Sequence, residues 1–163
     1  MKKTIKTILF SFTLFFSFSG LSAQETEYYA SLKKDEVNLR AGPGERFPIL
    51  WIYQERGYPV KVLDKYDIWR QVQEPDGSVG WVHKNMLSDR RTALIQEEAS
   101  LTSKPDVTAK QIAFVEPGTI ARIVRCPAEN KYCLLSFNYQ DKDIQGWFPR
   151  HAFWGAEPTE EID

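Results

Sequence analysis

The sequence predicts an all-β chain in which two small β-barrels follow one another behind an N-terminal export segment. Three observations lead there. A repeat runs through most of the chain, apolar and polar residues alternate with period two inside each copy, and turn-forming residues separate the alternating segments.

The export segment comes first. Lys2, Lys3 and Lys6 precede a run from Ile8 to Phe18 that is almost entirely apolar or hydroxyl-bearing, and small residues follow at Gly20, Ser22 and Ala23. A basic start, a short apolar core and a small-residue end are the order of a secretory signal. The run falls short of the roughly 20 residues that span a bilayer. Residues 1–23 are therefore expected to be removed after Ser22 or Ala23, with no stable membrane span afterwards and a periplasmic or secreted product. Removing three lysines takes the formal net charge from −1 to about −4. A mildly acidic chain lacks the cationic excess with which nucleic-acid binders displace counterions, so nucleic acid is not an expected partner.

The repeat explains the rest. "VNLRAGP" (37–43) aligns with "ASLTSKP" (99–105), "GYPVKVLD" (57–64) with "GTIARIVR" (118–125), "WRQV" (69–72) with "YCLL" (132–135), and "GWVHKNML" (80–87) with "GWFPRHAF" (146–153). The order is kept, and length changes fall between the matches, where loops vary. Val60 and Val62 flank Lys61, and Ala121 and Ile123 flank Arg122, which suits half-buried strands. Gly57, "EPDGS" (74–78), "EPG" (116–118) and "CPAEN" (126–130) supply turns, and Asp76-Gly77 is a hairpin signal. A single helical turn is expected at 83–87. Each copy, about 55 residues long, is expected to hold five short strands, enough for a small barrel. The short link (87–98) predicts barrels packed on each other, and "EPTEEID" (157–163) a solvated acidic tail, assigned to 156–163.

Cys126 and Cys133 are the chain's two cysteines. In an oxidising compartment a pair favours a disulfide, whereas their spacing fits no zinc pattern. The bridge would staple neighbouring strands of the second copy, at about 2–3 kcal/mol on the chain-entropy model.

The first copy resembles a bacterial SH3 domain. "VNLRAGPGERFPIL" (37–50), a Gly-led strand, a mid-domain Trp69 and the closing "GSVGWVHKNMLS" (77–88) carry the resemblance in that order. The second copy is similar but diverged, with "LTSKP" (101–105) as its opening motif and "QGWFPRHAFWG" (145–155) as its close. The tandem layout resembles a family of secreted bacterial SH3-like proteins with two tandem SH3 domains, here at 28–88 and 92–155. That resemblance implies two small SH3-like barrels in the cell envelope with binding rather than catalytic roles. Such domains often accompany cell-wall hydrolases and recognise peptidoglycan or its peptide stems. No hydrolase domain accompanies them here, so the ligand does not transfer with the fold.

The residues argue against chemistry. Papain-like catalysis needs a nucleophilic Cys with a His base, but both cysteines are expected to be oxidised. His83 and His151 each follow a "GW" pair, as repeat position explains. Gly42-Pro43-Gly44 does not read as a phosphate loop, because a strand-like "ERFPILWIY" (45–53) follows it instead of a helix. The two glycines are expected to supply unusual backbone angles in a turn. No cofactor and no metal are expected, and the chain is expected not to be an enzyme.

Aromatic residues are the candidates for binding. Trp69 and Val72 stand an odd number apart on one strand, so an inward Val72 puts Trp69 on the outer face, at least partly exposed. Arg40, Phe47, Tyr66, Trp69 and Trp81 form the candidate ligand-binding set, for which core packing is the competing role. The expected partner is peptidoglycan or an envelope protein or peptide, and the alternative function is a protein–protein adaptor or complex subunit without wall binding.

Overall fold

Strand and turn chemistry recurs along the chain and folds it the same way twice. In a computed structural model that describes residues 27–163, the first unit comprises β1 (Tyr28–Leu32), β2 (Val37–Arg40), β3 (Ile49–Tyr53), β4 (Pro59–Tyr66), β5 (Trp69–Gln73), β6 (Val79–His83) and β7 (Leu87–Ser88). The second comprises β8 (Thr92–Ile95), β9 (Ala99–Thr102), β10 (Gln111–Val115), β11 (Ile120–Arg125), β12 (Tyr132–Tyr139), β13 (Lys142–Pro149) and β14 (Phe153–Trp154). A short 3-10 turn precedes the last strand of each, over Lys84–Met86 and Arg150–Ala152. The segment expected to be a signal, residues 1–23, lies outside the described residues.

The sheets run β3-β2-β6-β5-β4-β1-β7 and β10-β9-β13-β12-β11-β8-β14, so they correspond strand for strand. All pairings are antiparallel, and β3 and β10 carry the same irregularity: Leu50 and Ile112 are each the extra residue of a bulge. Each unit holds seven strands where five were expected. The expectation missed β1 and its counterpart β8, where nearly every residue is buried and the period-two pattern is hidden, and β7 and β14, which are two residues long.

Ala30, Leu32, Val37, Leu39, Val60, Val62, Val72 and Val82 form the first core, and Leu101, Ile123, Leu135, Phe148 and Phe153 lie in the second. Each of the Val, Leu, Ile and Phe side chains among them contributes about 1.5–3 kcal/mol on full burial. The glycine of each "GW" pair makes room for this packing: a Cβ on Gly80 would lie 2.5 Å from Leu39, and one on Gly146 2.5 Å from Leu101. The disulfide joins Cys126, just after β11, to Cys133 in β12, with both residues fully buried.

The units pack on each other. Tyr29, on the outward face of β1, meets Trp154 edge-on at 5.2 Å between ring centroids. Thr92 Oγ1 donates to the Gly57 carbonyl at 2.7 Å. Burial pushes the Tyr29 hydroxyl up to about 12, helped by the nearby Glu157.

The C-terminal segment is not a solvated tail. Glu157 pairs with Lys61 of the first unit at 2.9 Å, and Glu160 takes both Arg91 Nη atoms. Ile162 exchanges two backbone hydrogen bonds with Cys126 and packs against the second core. Arg150, itself buried, donates Nη1 to the carbonyls of Glu157 and Glu160 and Nη2 to that of Pro127. The carboxylates counted as solvated find cations, and Ile162 finds an apolar seat.

Candidate functional site

Strand register decides which candidates share a face. On β2, Val37 and Leu39 point into the core, which turns Arg40 outward. Arg40 stands opposite Ile49 on β3 and Trp81 on β6, and Trp81 stands opposite Gln71 on β5. Directly opposed residues of a ladder share a face, so one outer row reads Ile49, Arg40, Trp81, Gln71. The neighbouring row reads Tyr66, Trp69, His83, because Trp69 pairs with both of the others. Arg40, Tyr66, Trp69 and Trp81 therefore lie on one outer face of the first unit.

Phe47 joins this group through the loop 41–48. Arg40 Nη1 donates to the carbonyls of Glu45 and Phe47, at 3.1 and 2.9 Å, and the Ala41 N–H donates to Pro48 O. Arg40 is thus the clamp that holds the loop against the sheet, more than a rim charge awaiting a ligand. Gly42 differs from expectation: neither it nor Gly44 has positive φ. Its hydrogen is needed for space, since a Cβ there would sit 2.5 Å from the Phe47 ring.

Trp69 is also not placed as expected. Its parity is opposite to that of Val72, but it is only 8% exposed. His83 stacks edge-on against it at 5.5 Å and accepts the Asn85 N–H through Nδ1, which starts the 3-10 turn. Trp69 and His83 thereby form a floor, and Trp81, half-buried, and Tyr66, 62% exposed, present the accessible aromatic surface. The two histidines are not equivalent. Aligning the "GW" pairs matches His83 to Pro149 and His151 to Asn85.

One apolar surface was missed by sequence reasoning. Ile49, Leu50, Trp51 and Ile52 are each 36–45% exposed, because β3 is an edge strand and pairs only with β2. The signal was present as four consecutive apolar residues, more than one face of an edge strand buries. At the end of this strand Tyr53 turns inward and donates to Glu74 at 2.6 Å. Burial, reinforced by that carboxylate, pushes the Tyr53 hydroxyl far above its ordinary range.

The second unit carries a different outer face. Thr102 replaces Arg40, Ala109 replaces Phe47, Leu134 replaces Gln71, Tyr132 replaces Trp69 and Pro149 replaces His83, while Trp147 remains opposite Thr102 and Leu134. The face offers aromatic stacking surface, an apolar edge and backbone groups, which suit binding an extended or ring-bearing ligand.

Residues 33–89 match the family described as bacterial SH3 domain. Similar solved structures include NlpC1 from Trichomonas vaginalis, 17% identical, with 86% of this chain and 50% of that one covered and a TM-score of 0.36. NlpC2 from the same organism is 17% identical over 83% of this chain and 50% of that one, with a TM-score of 0.36. An NlpC/P60 family protein from Bacillus cereus ATCC 10987 is 14% identical over 78% of this chain and 57% of that one, with a TM-score of 0.34. The chain spans about half the length of these structures. No curated protein matches it.

Proposed function

We propose that this chain is an exported, non-catalytic binding protein whose first SH3-like unit recognises cell-wall peptidoglycan through its outer face. The observation that carries the proposal is the gathering of Tyr66, Trp81 and the loop bearing Phe47 on one face of a unit that matches the bacterial SH3 domain. Sugar rings and extended peptide stems stack on such aromatic surfaces with little loss of side-chain freedom. The floor of Trp69 and His83 holds that surface in place. Export is supported by the basic, apolar and small-residue order of residues 1–23, and by a disulfide of the kind that oxidising compartments keep. The second unit, over 92–155, is proposed to be a diverged SH3-like copy that supports the first.

Co-sedimentation with purified peptidoglycan tests this. The protein is expected to be retained at moderate salt, and absence of retention would refute wall binding. In that case the adaptor reading takes its place, and a specific feature favours it. The exposed apolar edge strand β3 offers unpaired backbone groups to an added strand from a protein partner.

A further inference from the structure

The two units enclose a cleft of about 700 Å³ at their junction, away from the aromatic face. Its first-unit wall includes Ser31, Lys33, Arg56 and Ser88, with Arg90 from the link. Its second-unit floor is the outer row Thr92, Arg122, Ser136, in register across β8, β11 and β12, with Asp143 at its margin. Four cations thus face one carboxylate in a chain whose formal net charge is −1.

Two further observations bear on what these exposed cations can bind. Lys33, Arg56, Arg90 and Arg122 make no ion pair among the described residues, whereas Lys61 and Arg91 at the same junction are paired with Glu27, Glu157 and Glu160. Ser31 and Ser136 are 2% and 5% exposed, and neither hydroxyl is used in a hydrogen bond among the described residues. Both hydroxyl oxygens keep contact with solvent, so each can donate to or accept from a molecule that occupies the cleft.

We infer that the junction cleft is a binding site for an anionic ligand bearing two or more carboxylate or phosphate groups. Arg56 on the first-unit wall and Arg122 on the second-unit floor each bring a guanidinium fork, which suits the planar, bidentate geometry of such anions. The Ser31 and Ser136 hydroxyls supply the short-range donors. A volume of this size accommodates a small molecule or one segment of a polymer. The site needs both units, so it also gives the tight packing between them a function. It is independent of wall binding by the aromatic face.

Calorimetric titration of the full chain at low salt, with inorganic tripolyphosphate in one arm and citrate in the other, tests the inference. Saturable binding of at least one anion is expected, weakening as salt is added. R56E/R122E should weaken it by about tenfold or more, while K104E/K110E, with the same charge change on a remote loop, stays within about twofold. The preferred arm tells phosphate from carboxylate ligands. If R56E/R122E fails to fold, R56Q/K33Q with amide-shift mapping at Ser31 and Ser136 reads the same site. No binding tighter than about 1 mM in either arm, or equal loss in the cleft and control variants, overturns the proposal. Retention on peptidoglycan by an R56E/R122E protein that has lost anion binding would separate the two sites.

Discussion

At position 42 the first unit has a glycine and at the matching position the second has Lys104, yet the loops that follow share the same hydrogen bonds. Ala41 N–H to Pro48 O, Gly44 N–H to Gly42 O and Phe47 N–H to Gly44 O recur as Ser103 to Lys110, Asp106 to Lys104 and Ala109 to Asp106. The difference lies in the side chain that the loop carries. Phe47 lays its ring where a Cβ at 42 would stand, and Ala109 leaves that space open for Lys104. The backbone is thus common to both units, while the outer face has been specialised in the first. The second has been specialised for stability instead, with a disulfide and a buried arginine that the first lacks.

The largest expected effect breaks that second specialisation. Arg150→Met leaves three carbonyls without their donor and should cost about 2–4 kcal/mol in chemical denaturation. Lys84→Met, at the matching exposed position, should change stability by less than about 0.5 kcal/mol. Next comes the disulfide: C126S/C133S should lose about 2–3 kcal/mol, and two alkylatable thiols in the native, non-reduced protein would contradict the bond.

A third change sharpens the comparison at the loop. Gly42→Lys drives a Cβ into the Phe47 ring and should destabilise by about 1–3 kcal/mol. Adding Phe47→Ala, which recreates the pair found in the second unit, should recover most of that loss, and additive losses would contradict the packing argument.

The smallest effect is one of pH. Hydrogen bonds from Arg91 hold the Glu160 carboxyl below its ordinary value of 4.5. A depressed pKa contributes stability above the unfolded value and loses it as pH falls through the folded one. Melting temperature should therefore drop on acidification below about 4.5, and E160Q should lose about 1 kcal/mol or less at neutral pH while flattening that drop.

Much of the fold was legible because its signals are local. Asp76-Gly77 turns the β5–β6 hairpin with Gly77 at φ 86°, the 3-10 turn falls within 83–87, and the odd spacing of Trp69 and Val72 gives their opposite faces. What escaped depends on what each surface meets in space. Trp69 is outward but covered by His83, Tyr29 is outward but covered by Trp154, and the acidic segment finds Lys61 and Arg91 across the junction. Strand parity made the outward side of Trp69 legible, whereas the face it shares with Arg40, Tyr66 and Trp81 follows from the register of the strands. The division of that face into a buried floor and an exposed aromatic surface, and the apolar edge of β3 beside it, were not legible.

The most direct test is a matched pair of tryptophan variants. Trp81 and Trp147 occupy the same position in the two units, but only Trp81 has Arg40 and the Phe47 loop beside it. Trp81→Ala and Trp147→Ala proteins, both shown to be folded, would be sedimented with purified peptidoglycan alongside the unaltered chain. The account predicts that Trp81→Ala loses about tenfold or more in retention while Trp147→Ala keeps it. Equal retention by both variants, or greater loss in Trp147→Ala, would contradict it.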